Sequence, residues 1–400
     1  MKWFLTVVGV FASICTGCLK SAAAETASCG TASAFLGAHV QGSNYRVDGN
    51  VWCDGFLRIF LFETNFGRYQ INGQELAKAF IQELNAIDAL DKMSQSDVFA
   101  KSLANAATAP VRYGVDLVTN PVGTIGSSLS GVANMFDQLG ASLADPDANR
   151  ASTIDSLLGV DSARRELATR LYVDPYTEFP PLAKKLSDVA QAMAAGGLTV
   201  RAALAVIPGG VGMAVSSASS MGSASETLRS KTAPQIMQEV KGVLQRLKVP
   251  GDHIDRLLEN RAYTPADLLI MARALSKLNA ANTGDFVAKA AAARSRDVAF
   301  FQRTRAEFLA RRSAELGGIA AFINAGGVPL NRTRDGNVVA AFPFDELAWT
   351  EIVQRAAIGV TAKLKKSRQR QKSILAVSGL ISPLASREFE TLGWRVVQLP

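Results

Sequence analysis

Apolar positions dominate the chain from Trp3 to Leu19, behind Met1-Lys2 and ahead of Ser21-Ala22-Ala23-Ala24. A charge, an apolar core and small residues in that order predict an export signal over residues 1–24. From Tyr45 to Ile71 the pattern turns strand-like, with the aromatic-rich run Phe56 to Phe62 and a turn at Asn65-Phe66-Gly67. Beyond Gly73 the period lengthens to that of a helix, and Leu76, Phe80, Leu84, Ile87 and Leu90 share one face. Helices are expected from there to Ala325. Thr264-Pro265-Ala266-Asp267 marks one helix start: a capping oxygen, a proline without a donor, and an acid at the positive helix end. Asp252 to Asp255 and Ser152 to Asp155 carry similar signals.

A long amphipathic helix is predicted from about Arg294, with Val298, Phe301, Phe308, Leu316, Ile319 and Ile323 as its apolar stripe. Arg303, Arg305, Arg311 and Arg312 fall mostly off that stripe. After Gly326-Gly327, Val328–Arg332 and Asn337–Phe342 flank Asp335-Gly336, a dipeptide suited to a tight hairpin turn. Phe344 to Lys372 reads as helical. Ser373–Val377, the Ser382-Pro383 helix and Trp394–Leu399 then form strand, helix and strand, which predicts a parallel pair.

The expected fold class is therefore mainly α: a multi-helix bundle with a short N-terminal β segment and a small C-terminal α/β subdomain. Four parts are expected: a signal peptide over 1–24, a disulfide-stapled β segment over 25–72, a helical domain over 73–325, and the α/β subdomain with a basic helix over 326–400.

Two processing routes are open. Ala22 and Ala24 supply the short side chains that signal peptidase needs, placing cleavage before Glu25. Thr16-Gly17-Cys18 instead resembles a lipobox, with Cys18 lipidated, although Cys15 stands where leucine is usual. An uncleaved anchor is disfavoured, because the run is short and Gly9, Ser13 and Gly17 interrupt it. Either route leaves Cys29 and Cys53 as the cysteines of the body, and export predicts a disulfide between them.

The formal net charge is +8 and 48% of residues are apolar. Such a chain can bury a large core, and it stays basic when Lys2 and Lys20 leave with the leader.

Candidate chemistry is sparse. His39 and His253 lie far apart with no spare cysteine pair, so a zinc or copper centre has little raw material. His253, beside Asp252 and Asp255, reads as a capping-region histidine rather than a triad member. Asp145-Pro146-Asp147-Ala148-Asn149 resembles the start of a calcium loop, but Arg150 replaces the turn glycine and Ser156 the bidentate glutamate. Glu63 with Gly67 to Ile71 faintly resembles the cluster of lysozyme-like enzymes, yet the spacing is that of a hairpin and a second carboxylate is missing. Gly209-Gly210-Val211-Gly212 lacks the remaining residues of either nucleotide-binding fingerprint. No catalytic residue, metal ligand or cofactor is nominated.

Two uncharged runs, 117–136 and 202–225, are rich in glycine, serine and small apolar residues. They fit central helices of a bundle, or an inserting hairpin. The strongest surface signal is Lys363, Lys365, Lys366, Arg368, Arg370 and Lys372, with no acid from Ile352 through Arg387. A basic amphipathic helix of this kind docks on anionic lipid, lipopolysaccharide or glycan, or on an unidentified protein. It lacks the interleaved aromatics of a single-strand nucleic-acid surface.

These features predict an exported protein, periplasmic or extracellular, with a membrane-anchored lipoprotein as the alternative. The expected role is non-catalytic: a structural or interaction protein of the bacterial cell envelope. Membrane insertion through 117–136 and 202–225 is the second hypothesis, and an envelope hydrolase directed at peptidoglycan the third.

Overall fold

The computed structural model describes residues 23–26, 29–105, 162–196, 198–204, 218–325, 328–366 and 372–400. Helices predominate among them, but two substantial sheets make the architecture mixed α/β rather than a pure bundle.

The first sheet comprises β1 (Tyr45–Val47), β2 (Trp52–Cys53), β3 (Arg58–Thr64) and β4 (Gly67–Asn72), all pairing antiparallel with β3. Asn65-Phe66 joins β3 to β4, at the predicted turn. Cys29 and Cys53 form the predicted disulfide, with Cα atoms 5.8 Å apart. The Gln74–Ser94 helix follows, burying Phe80, Leu84, Ile87 and Leu90 as its period requires. Leu167, Leu182, Leu186 and Val189 complete this first core. Phe62, Tyr69, Phe80 and Phe179 stack within it, with ring centroids 5.1–5.6 Å apart.

The second core lies between the Pro265–Leu278 and Arg296–Arg312 helices and a five-stranded sheet ordered β11-β9-β7-β6-β5. Its strands are β5 (Ile319–Ala325), β6 (Val328–Thr333), β7 (Val338–Phe342), β9 (Ser373–Val377) and β11 (Trp394–Gln398). A two-stranded parallel pair, β8 (Glu346–Leu347) with β10 (Leu380–Ile381), lies beside it. β6 and β7 form the predicted antiparallel hairpin, and β9 pairs parallel with both β7 and β11. The Glu351–Lys366 helix connects the first half of this sheet to β9.

Two expectations are corrected here. Ile319 and Ile323 belong to β5, not to the preceding helix, which ends at Arg312. A spacing of four fits one face of a strand as well as one face of a helix. Gly317 and Gly318, at φ +85° and +75°, end the helical course between them. Arg303 and Arg305 are also buried rather than solvent-facing.

The N-terminal segment is stitched to the second core. Phe56 packs on Phe344, with centroids 4.8 Å apart. The buried Asp345 carboxylate accepts from the backbone N–H groups of Arg58 (3.0 Å) and Gln74 (2.8 Å). Gly55, at φ +96°, lets its loop lie against Thr350 and Val353, where a Cβ would collide. Glu25 donates its N–H to the Trp349 carbonyl at 3.0 Å, and its carboxylate accepts from Trp349 N–H and the Ser382 hydroxyl.

No helix among the described residues is long and apolar enough to cross a membrane. The run 117–136 lies outside the described residues, as do 205–217 of the second run. The ends of that run belong to the Val200–Leu204 and Ala218–Ser230 helices.

Candidate functional site: a cationic face with exposed apolar side chains

The Glu351–Lys366 helix is amphipathic in three dimensions as well as in sequence. Val353, Ala356, Ala357, Val360 and Thr361 are buried. Trp394 fixes the helix from the sheet side by donating from Nε1 to the Thr361 hydroxyl at 2.8 Å. The opposite stripe is exposed and consists of Arg355, Ile358, Ala362 and Lys365, at spacings of three and four, with Lys363 exposed beside it. Lys372 is exposed where the chain enters β9. Lys366 ends the helix; its side chain, with Arg368 and Arg370, lies outside the described residues. Lys363, Lys365 and Lys366 thus sit in the last turn of the helix, where its dipole favours positive charge, while Arg355 lies near its start. Glu351, in the first turn, supplies the only acid of this helix.

Ile358 is 46% exposed within that stripe. The sequence pattern names the basic residues but not this isoleucine, because an apolar residue reads as core until the helix face is known. Two further large apolar side chains are exposed on strands, Trp52 at 52% on β2 and Leu380 at 54% on β10. Cys53, next to Trp52, lies 3.8 Å from the Glu346 carboxylate, and Glu346 pairs with Leu380 across the β8–β10 ladder. Asp54 and Gly55 in turn bond to Thr350 and Ala348, immediately before the helix. Among the described residues, the remaining large exposed hydrophobic side chain is Val98.

A second polar constellation lies between the two cores. Thr264 and Asp267 form the predicted capping box of the Pro265–Leu278 helix, with Asp267 N–H donating to the Thr264 hydroxyl at 3.2 Å. Asp267 does more than cap: it is 1% exposed and receives Arg296 at 2.5 Å and Arg303 at 3.1 Å. Those guanidinium groups hold its carboxyl below the usual range despite burial. Half-buried Glu83 accepts from the Thr177 hydroxyl at 2.5 Å, and burial raises its carboxyl to about 7. Asp174, bonded by Tyr176 N–H at 2.8 Å, rises to about 6 through burial and then through the Asp267 charge. Glycosidic cleavage would need a raised acid and an ionised carboxylate both open to substrate. Here the ionised partner is Asp267, closed off under two arginines. Asp267 ties the Pro265–Leu278 helix to the Arg296–Arg312 helix, and Glu83 ties the Gln74–Ser94 helix to the loop at Thr177.

The other sequence candidates are dispersed. Glu63 is ion-paired with Arg68 at 2.9 Å across the exposed β3–β4 hairpin. His253 Nε2 lies 3.7 Å from Asp252 in the first turn of the Gly251–Leu258 helix. The loops at 145–150 and 209–212 lie outside the described residues. Among the described residues, Cys29, Cys53 and Glu346 come close enough to share a cation, but the two sulfurs are bonded to each other and leave no thiolate to ligate one. No protein-family model, curated protein or solved structure matches this chain.

Proposed function

We propose that the protein is an exported, non-catalytic interaction protein of the bacterial envelope that docks on an anionic surface through the Glu351–Lys366 helix and the basic segment after it. The observation that carries this reading is Ile358, 46% exposed within a stripe that also holds Arg355 and Lys365. Basic side chains supply long-range attraction, and an apolar side chain among them supplies short-range burial, the combination used by helices that lie in an interface. The absence of any acid from Ile352 through Arg387 leaves that attraction unopposed within the segment.

The reading is tested by equilibrium partition of the protein onto anionic and zwitterionic surfaces, with and without glutamine at the basic positions. Binding that requires the anion and weakens with the substitutions supports it. Equal affinity for both surfaces overturns it.

A further inference from the structure

Resting on the export half of that reading, we propose that the chain is hydrolysed between Ala24 and Glu25, and that Glu25, as the new N-terminal residue, is a latch fixing the starts of two C-terminal helices. Two independent observations meet at this residue. The small side chains of Ala22 and Ala24 mark Glu25 as the first residue after a scissile bond. In the fold, Glu25 is half-buried between exposed neighbours, Ala23 and Ala24 before it and Thr26 after it. It is held by its own bonds, and cleavage at that place spares all of them.

The Glu25 N–H donates to the Trp349 carbonyl at 3.0 Å, and Oε1 accepts from the Trp349 N–H and the Ser382 hydroxyl. Trp349 is 1% exposed and stands two residues ahead of the Glu351–Lys366 helix. Ser382 caps the Pro383–Thr391 helix, its hydroxyl accepting from the Ala385 N–H at 3.0 Å. One carboxylate oxygen thus joins the N-terminal ends of two helices, where the helix dipole favours negative charge. The tie from Glu25 to Ser382 spans 357 positions of sequence. It also fixes the start of the helix that carries Arg355, Ile358 and Lys365.

Hydrolysis leaves these bonds in place. Water gives its hydroxyl to the Ala24 carbonyl carbon and a proton to the Glu25 nitrogen as the peptide bond breaks, so the nitrogen gains a hydrogen and loses none. At neutral pH the resulting α-amine is largely protonated, and its charge is offset by the residue's own carboxylate. Glu25 keeps its donor for the Trp349 carbonyl and its acceptor for Ser382.

The test begins with the intact mass of the protein recovered from producing cells and their medium. Glu25→Ala and Glu25→Gln are then compared with the parent by urea unfolding and by amide exchange in the peptide that contains Trp349. Vesicle partition of the parent, measured separately, reports docking alone. The expected mass is that of residues 25–400 with a free N-terminus. Glu25→Ala should lower the folding equilibrium constant about tenfold and speed exchange at Trp349, and Glu25→Gln, which keeps an accepting oxygen, should fall between it and the parent. A mass beginning at any other residue overturns the cleavage: acylation at Cys18 leaves envelope docking standing, whereas retention of Met1 removes the export as well. A chain beginning at Glu25 whose Glu25→Ala variant unfolds and exchanges like the parent overturns the latch.

Discussion

The guanidinium of Arg305 bonds the carbonyl of Pro329, the residue of β6 that has no N–H to offer β7. β6 pairs with β7 at Asn331–Val339 and Arg332–Val338, and the same register extended by two residues would set Pro329 opposite Ala341, where a ladder bond would fall. Arg305 fills that gap, donating from Nε to the Ala341 carbonyl at 3.1 Å and from Nη2 to Pro329. It does so fully buried and with no carboxylate at salt-bridge distance among the described residues, and burial lowers it to about 9. Phe342, 4.3 Å from the guanidinium carbon, supplies an aromatic face instead.

Arg305→Leu should therefore strand two buried carbonyls and cost about 3–5 kcal/mol, read as a lower urea midpoint. Adding Pro329→Val supplies a ladder N–H and should recover about 1–2 kcal/mol. If the second substitution worsens the first, Arg305 does not stand in for the proline's missing donor.

Glu83 and Asp267 predict opposite responses to pH. The Glu83 carboxyl is raised in the folded protein from 4.5 to about 7, so the folded state binds its proton more tightly than the unfolded state. Its contribution is greatest at acidic pH and is lost as pH rises from about 4.5 to about 7. Glu83→Gln should flatten that decline and stabilise the protein above about pH 7 by about 1–2 kcal/mol, allowing for screening of a half-buried group. Asp267, lowered by its arginines, contributes above the usual aspartate range and loses its contribution in acid. Asp267→Asn at neutral pH should cost about 3–5 kcal/mol, since it leaves Arg296 and Arg303 without their shared anion. Denaturant midpoints across a pH series check both signs.

Removing the disulfide should destabilise the N-terminal segment. The bridge closes a sequence separation of 24, which corresponds to roughly 3 kcal/mol in the chain-entropy description. Cys29→Ala with Cys53→Ala, compared with the parent by unfolding under non-reducing conditions, measures it. Unchanged stability would mean that the segment is held by Phe56, Asp345 and Glu25 alone.

Periodicity carried the local structure a long way. The stripe from Phe80 to Leu90, the turn at Asn65-Phe66, the Asp335-Gly336 hairpin and the parallel β9–β11 pair all follow from residue spacing and turn chemistry. What it missed were facts of three-dimensional context. Ile319 and Ile323 satisfy helix and strand spacing alike, and only the glycine pair before them decides. Arg305 reads as a surface residue because its partner is a proline that spacing cannot connect to it. The capping role of Asp267 was legible, but the arginines that converge on it come from a helix some thirty residues on. At the candidate site the lysines are plain in the sequence, whereas nothing in the spacing marks Ile358 as exposed among them.

The most direct test of the account is the partition of the protein between buffer and vesicles of phosphatidylglycerol or phosphatidylcholine, measured in salt from about 50 mM to about 200 mM. The parent is compared with the variant carrying glutamine at Lys363, Lys365, Lys366, Arg368, Arg370 and Lys372. The account predicts binding to the anionic vesicles that weakens with salt, falls at least about tenfold in the variant, and is slight on the zwitterionic vesicles. Salt-independent binding, or equal binding by parent and variant, would contradict it.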